Sequence, residues 1–402
     1  KNDSRESDSY SSTSFFNNDD EEDTNSERTT TSEDDRDNGS LRFSYRKKID
    51  DKGRNIRVQS GISFNDNQDM NFQNSKTIND ISKSFLPSES NEITTRDERN
   101  KGLDYNASFR YMEPIVEHHL VSFSSSLRNE NDDETLDQRR EKIINDDSPE
   151  VTFLAYQLDY SKQVYNNQIG YVFSKDKFQL YTSGSFETMV QKLDIDNGNV
   201  IDKKYNNFLP RVYGSYEYKK GHRIRFRYNK ETRLPNANEV NPIENNFNPL
   251  YKFFGNPDLT PEKSDNYFVM LGSHDFTKAT SFFAMVRFSN STNAIVVNRT
   301  IDDDYVRTST YENYGDKSNL NAWLSYSRKI ENISLRYNIR LGGSINDYTT
   351  IIDGAYNDTN SKSSNISISF SNENKNKVDI NIGEKIDINK TTYSLQEKES
   401  LK

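Results

Sequence analysis

The chain has 402 residues, 63 acidic against 53 basic side chains for a formal charge of −10, no cysteine, and 31% hydrophobic residues. Soluble globular domains carry about 45–50% apolar residues with Gly counted, so the composition argues against an ordinary solid core, and the excess of acid argues against a nucleic-acid partner. No run of about 18 apolar residues occurs, which excludes a transmembrane helix, while an aromatic content of 12% is high for a disordered chain.

In chain order, residues 6–16 read as a first strand and the acidic, Thr-rich stretch 17–38 as a long loop. Leu41, Phe43 and Tyr45 then turn over at 50–53 and return as Ile56, Val58, Ser60, Ile62 and Phe64, a hairpin with one apolar face per strand. After a long excursion at 65–101 come Leu103, Tyr105, Ala107, Phe109 and Tyr111, a short turn at Glu113 and Pro114, and Val121, Phe123, Ser125 and Leu127. A polar loop at 128–150 leads to one long strand with a bulge at 151–173, a turn at 174–177, and Phe178, Leu180, Thr182, Gly184 and Phe186. Residues 194–206 form the next loop, and Val212, Gly214, Tyr216 and Tyr218 turn at 219–221 into Ile224, Phe226 and Tyr228. The opposite face of that last strand carries Arg223, Arg225 and Arg227. Further on, short turns near 276–278, 329–332 and 372–377 alternate with loops at 301–304 and 353–362.

Short and long connections thus alternate, as they do between the two rims of a transmembrane barrel. A barrel needs apolar residues only on the outer face of each strand, so low hydropathy is no obstacle. Some fifteen strands with roughly ten crossing residues each, half outward, need about 75 lipid-facing residues, which the apolar fraction can supply. The expected fold is all-β: a transmembrane antiparallel β-barrel of about fifteen strands, one domain over residues 1–402, with long extracellular loops and short periplasmic turns. In it Ile224, Phe226 and Tyr228 face lipid, where arginine would cost about 2–4 kcal/mol at the midplane, and Arg223, Arg225 and Arg227 face the lumen.

Residues 233–264 interrupt the strand pattern with a concentration of Pro, Asn and Gly that no ladder tolerates. Arg233, Pro235 and Asn236, followed by Gly255, Asn256, Pro257, Leu259, Pro261 and Glu262, resemble the mid-barrel signature of TonB-dependent outer-membrane receptors and the outer-membrane β-barrel family related to them. The resemblance implies the translocation barrel of an importer in the outer membrane of a Gram-negative cell. It implies uptake of an extracellular ligand, energised through a plug domain by a periplasm-spanning TonB-type protein, with outer-membrane lipid around the wall. The matched residues are expected to be structural, and the residues that bind substrate are not identifiable. Neither plug nor signal segment is visible, the strand count is odd, and the charged stretch 395–402 lacks a terminal aromatic. These departures lead us to expect a chain without its plug and without strands at one or both ends. Two other classes fit the pattern: a non-transporting barrel or surface β-protein with an adhesion or assembly role, and a soluble β-rich binding protein.

No catalytic motif is present, and neither an enzyme nor a cofactor is expected. Glu117, His118 and His119 are adjacent, but neighbours in a strand face opposite sides and cannot chelate together. The acidic runs at 19–23, 194–199 and 302–304 carry carboxylates without the spacing of a calcium loop. They read as solvated tips, so no metal is assigned.

Overall fold

The computed structural model describes residues 2–16, 22–79, 88–145, 147–196, 198–248, 250–275, 277–302, 305–372 and 378–401. Nine strands follow one another as antiparallel neighbours: β1 (Asn2–Phe16), β2 (Glu22–Lys48), β3 (Asn55–Asn79), β4 (Ser88–Val116), β5 (His119–Ile144), β6 (Glu150–Lys175), β7 (Phe178–Ile195), β8 (Gly198–Lys219) and β9 (His222–Arg233). The chain then leaves the wall for a short helix, α1 (Ala237–Val240), and a small hairpin, β10 (Asn245–Asn248) and β11 (Tyr251–Phe253). It re-enters at β12 (Glu262–Asp275), which pairs with β9, and continues as β13 (Thr280–Thr292). A second excursion is the hairpin β14 (Ile295–Ile301) and β15 (Arg307–Asn313), after which β16 (Asp316–Ile330) pairs with β13. A 3-10 turn at Glu331–Ile333 leads to β17 (Leu335–Ile352), β18 (Ala355–Asn372), β19 (Asn381–Tyr393) and β20 (Gln396–Leu401). Leaving aside the two excursions and β20, fifteen strands make the wall, as expected. Among the described residues no ladder joins β1 to β19 or β20, so the wall is an open sheet there.

Register fixes the two faces. One cross-strand row runs Phe178, Tyr216, Ile224, Leu271, Ala284, Leu324, Leu341, Ile366 and Ile386, apolar across nine successive wall strands. Ile224 and Phe226 are 38% and 39% exposed on this side, and Tyr228 and Phe288 both lie against Tyr267, with ring centroids 5.0 and 6.1 Å apart. Such a band has no reason to stay out of a core unless lipid covers it. Arg223, Arg225 and Arg227 lie on the other face, because successive side chains alternate. That face is concave, since the excursion after β9 reaches across it to touch β3 and β4.

Much of what the sequence offered as extracellular loop is ladder. Strands β2 to β6 have 27, 25, 29, 26 and 26 residues, against the roughly 9–11 that cross a bilayer. The loops expected at 17–38, 65–101, 128–150, 194–206 and 353–362 are therefore corrected: over most of their described length they continue the strands as hairpins standing above the membrane band. The physical reason is that polar sequence does not end a ladder unless it carries Pro or Gly at the wrong place. Residues 22–38 and 128–144 contain neither. Their polar side chains pair across strands, as Ser32 Oγ donating to Asn71 Oδ1 at 2.7 Å and Tyr156 Oη to Glu134 Oε1 at 2.6 Å do. The bulge expected within 151–173 is absent too, because β6 keeps one register against both neighbours. The short turns do fall on one rim: 49–54, 117–118, 176–177 and 220–221 all lie opposite the excursion after β9. The turn expected at Glu113 and Pro114 is corrected to 117–118, because both residues stay in the β4–β5 ladder opposite Val121 and Leu120. The turn expected at 372–377 lies outside the described residues, save Asn372.

Candidate functional site: a bridge across the mouth of the barrel

The Pro- and Asn-rich stretch after β9 folds into a compact unit. Asn236 caps α1, accepting from the Glu239 amide at 2.9 Å, while the Glu239 carboxylate accepts from the Asn236 amide at 2.9 Å. This reciprocal capping box is readable as Asn-x-x-Glu, yet the strand-based reading passed over it. Gly255 lies against the helix: a Cβ there would stand 2.6 Å from the Asn238 carbonyl oxygen and 2.6 Å from the Asn241 amide nitrogen. Only glycine admits that approach, and it brings the Gly255 amide to the Asn241 carbonyl at 2.6 Å and the Asn256 amide to the Glu239 carbonyl at 2.8 Å. Asn256 Oδ1 accepts from the Asp258 amide at 2.9 Å and its Nδ2 donates to the Tyr311 carbonyl at 3.0 Å. The turn so formed drives Leu259 into a cluster with Leu158, Tyr160, Leu193, Ile201 and Val240, all at most 4% exposed. The matched signature residues thus anchor the excursion to the inner face of β6, β7 and β8. Tyr160 Oη and Gln191 Nε2 both donate to the Pro235 carbonyl, at 2.8 and 3.1 Å, and Lys203 Nζ donates to that of Pro257 at 2.7 Å.

Beyond this anchor, β10 and β11 cross the mouth. Gln73 Nε2 on β3 donates to the Phe247 carbonyl at 2.9 Å, and Arg96 Nη1 on β4 donates to Asn245 Oδ1 at 2.8 Å while its guanidinium lies 5.8 Å from the Phe247 ring centre. The β11 strand pairs in parallel with β15, and Tyr305 in the turn of that second excursion stacks on Phe15 of β1 at 4.8 Å. Two open cavities flank the bridge. One of about 420 Å³ includes Phe15, Arg28, Tyr251 and Arg307 in its lining; the other, of about 580 Å³, includes Arg96, Glu98, Phe247 and Tyr311. Cations beside aromatic faces, open to the outside, suit capture of a solute.

An ion network fixes where the bridge joins the wall. The Glu262 carboxylate, its side chain 4% exposed, receives Lys317 Nζ at 2.8 Å and Arg233 Nη2 at 3.4 Å, and Arg233 Nη1 reaches Glu239 at 2.9 Å. Burial works against the charged carboxylate, but Lys317 and Arg233 outweigh it and hold the Glu262 carboxyl below its ordinary range. In the tall ladder the balance reverses: burial pushes the Glu92 and Glu134 carboxyls up, despite Arg140 3.0 Å from Glu92 and the Tyr156 hydroxyl on Glu134.

A model of the outer membrane protein beta-barrel family matches residues 47–400. The chain belongs to that family. It is an outer-membrane β-barrel of a Gram-negative cell, and the apolar row described above is its lipid face. No curated protein matches the sequence. Among solved structures the barrel is similar to the FrpB iron transporter from Neisseria meningitidis, at 10% identity and a TM-score of 0.45 over 97% of this chain and 73% of that one. It is similar also to the ferric-catecholate import receptor Fiu from K12 E. coli (10% identity, TM-score 0.43, 98% and 75% covered) and to the copper transporter OprC (10% identity, TM-score 0.40, 98% and 72% covered).

The barrel disperses the other candidates. His118 sits in the turn with Glu117 at 3.4 Å, whereas Nδ1 of His119 lies 2.5 Å from the Tyr171 hydroxyl. Asp196 ties the tip of the β7–β8 hairpin to β6 by accepting from the Gln157 amide at 2.9 Å. Of the other acidic runs, residues 19–21, 303 and 304 lie outside the described residues. Among the described residues no group of three or more His, Asp or Glu side chains is placed to hold a metal ion.

Proposed function

We propose that this protein is the barrel portion of a TonB-dependent importer that takes up an extracellular nutrient, with a plug domain elsewhere in the full protein coupling it to a periplasm-spanning energising partner. The reading is supported chiefly by the bridge. The segment carrying the signature folds inward, spans the mouth from β9 to β3 and β4, and leaves cation- and aromatic-lined cavities on its flanks. A barrel that served only adhesion or assembly has no need for a structured crossing of its own mouth. In the full-length protein, replacing residues 244–253 by a short Gly-Ser linker removes the crossing and keeps Val240, Gly255 and Leu259. The expected result is normal membrane insertion, judged by heat-modifiable migration, with loss of nutrient-limited growth or of labelled-nutrient uptake. Uptake and ligand capture at the unaltered level would turn the assignment toward the non-transporting alternative.

A further inference from the structure

Below the bridge, the concave face of β8, β9, β12 and β13 carries an ordered row: Tyr213, Arg227, Phe268 and Arg287 are successive partners in register. The Arg227 guanidinium lies 6.0 Å from the Tyr213 ring centre and that of Arg287 lies 6.0 Å from the Phe268 ring centre, so the aromatic faces support both cations. Arg225, two residues along β9, joins them in lining an open cavity of about 480 Å³. None of the three has an ion-pair partner among the described residues, and the buried Nε of Arg225 has no hydrogen-bond partner there. Glu231 lines the same cavity, but its two oxygens are taken by amides, Asn229 Nδ2 at 2.8 Å and Asn266 Nδ2 at 3.3 Å. Three guanidinium groups against the single Glu231 carboxylate leave the cavity lining with an excess of positive charge, in a chain whose net charge is −10. That arrangement calls for an anion from outside the wall.

We propose that Arg225, Arg227 and Arg287 form a lumenal site for a small polyanion carrying two or more carboxylate or phosphate groups. Strand geometry spaces the Cα atoms of Arg225 and Arg227 by about 7 Å and those of Arg227 and Arg287 by about 10 Å, and Arg227 and Arg287 lie over separate rings, Tyr213 and Phe268, so the positive charge is spread along the cavity. A solute with several anionic groups meets each guanidinium through charge-assisted, often bidentate bonds. The site rests on this arrangement alone and not on the import reading, because its test measures binding without transport.

The test is calorimetric titration of the purified full-length protein in neutral detergent with citrate, pyrophosphate and acetate. Citrate and pyrophosphate bind saturably and at least tenfold more tightly than acetate, with affinity that falls as NaCl is raised. The triple variant R225Q/R227Q/R287Q weakens citrate at least tenfold, the triple Lys variant weakens it less, and R42Q/R46Q on β2 leaves it unchanged. If the triple Gln chain fails to show heat-modifiable folding, R227Q and R287Q singly carry the comparison. Absence of saturable citrate or pyrophosphate binding overturns the proposal, and so does equal loss in R42Q/R46Q. Binding of an acidic peptide such as poly-glutamate, with none of citrate or pyrophosphate, overturns it in favour of a polypeptide partner.

Discussion

Two polar regions rise above the membrane band and fold by opposite rules. In β2 to β6 the polar chain stays extended and finds its partners on neighbouring strands; between β9 and β12 it abandons the ladder, caps a helix and builds a buried cluster around Leu259. The difference is local chemistry. Five of the nine prolines lie in residues 233–264, together with Gly255, while residues 22–38 and 128–144 have neither Pro nor Gly. Proline withholds the amide a ladder needs and glycine permits backbone approaches no strand makes. The ladder therefore depends on its neighbours and the bridge on its own core.

That contrast is most sharply broken by Leu259→Ala. Truncating a fully buried leucine costs about 3 kcal/mol, and hydrogen exchange should accelerate at 237–262 while amides in the β3–β4 extension stay protected. Equal acceleration in both regions would mean they form one cooperative unit. Next in size, Glu262→Gln removes the charge that binds Lys317 and Arg233 and should loosen the junction by about 2 kcal/mol, seen as earlier proteolytic cleavage of the bridge.

Acid should push the two regions in opposite directions. The folded value of Glu262 is depressed, so its contribution is present above the ordinary 4.5 and is lost as pH falls through the lower folded value. Glu92 and Glu134 are raised by burial, so in the folded ladder they take up protons above 4.5, before the unfolded chain does. That relieves the cost of their buried charge as pH drops toward 4.5. Hydrogen exchange, corrected for intrinsic rates, should show the ladder tightening on mild acidification and the bridge loosening only below pH 4.5. The smallest effect sharpens the contrast: Pro257→Ala and Pro261→Ala should each cost the bridge about 0.4–1 kcal/mol through the unfolded chain, leaving wall and insertion intact by heat-modifiable migration.

Period-two alternation in segments such as Leu41–Phe43–Tyr45 and Ile224–Phe226–Tyr228 was enough to identify a barrel wall and its lipid face, because the pleat is a local property of the chain. The signature from Arg233 to Glu262 was equally legible as a place where the ladder must stop, and Asn236 with Glu239 even spelled out the helix cap. What no local pattern carries is pairing. Whether residues 22–38 are loop or strand depends on partners as far away as Ile78, and the bridge crosses the mouth because Gln73 and Arg96 wait on strands more than 140 residues earlier. The row of Tyr213, Arg227, Phe268 and Arg287 likewise exists only once register is set. A slip of one residue would have sent each of those side chains to the other face, so tertiary structure alone decided that Arg287 shares one cavity with Arg225 and Arg227.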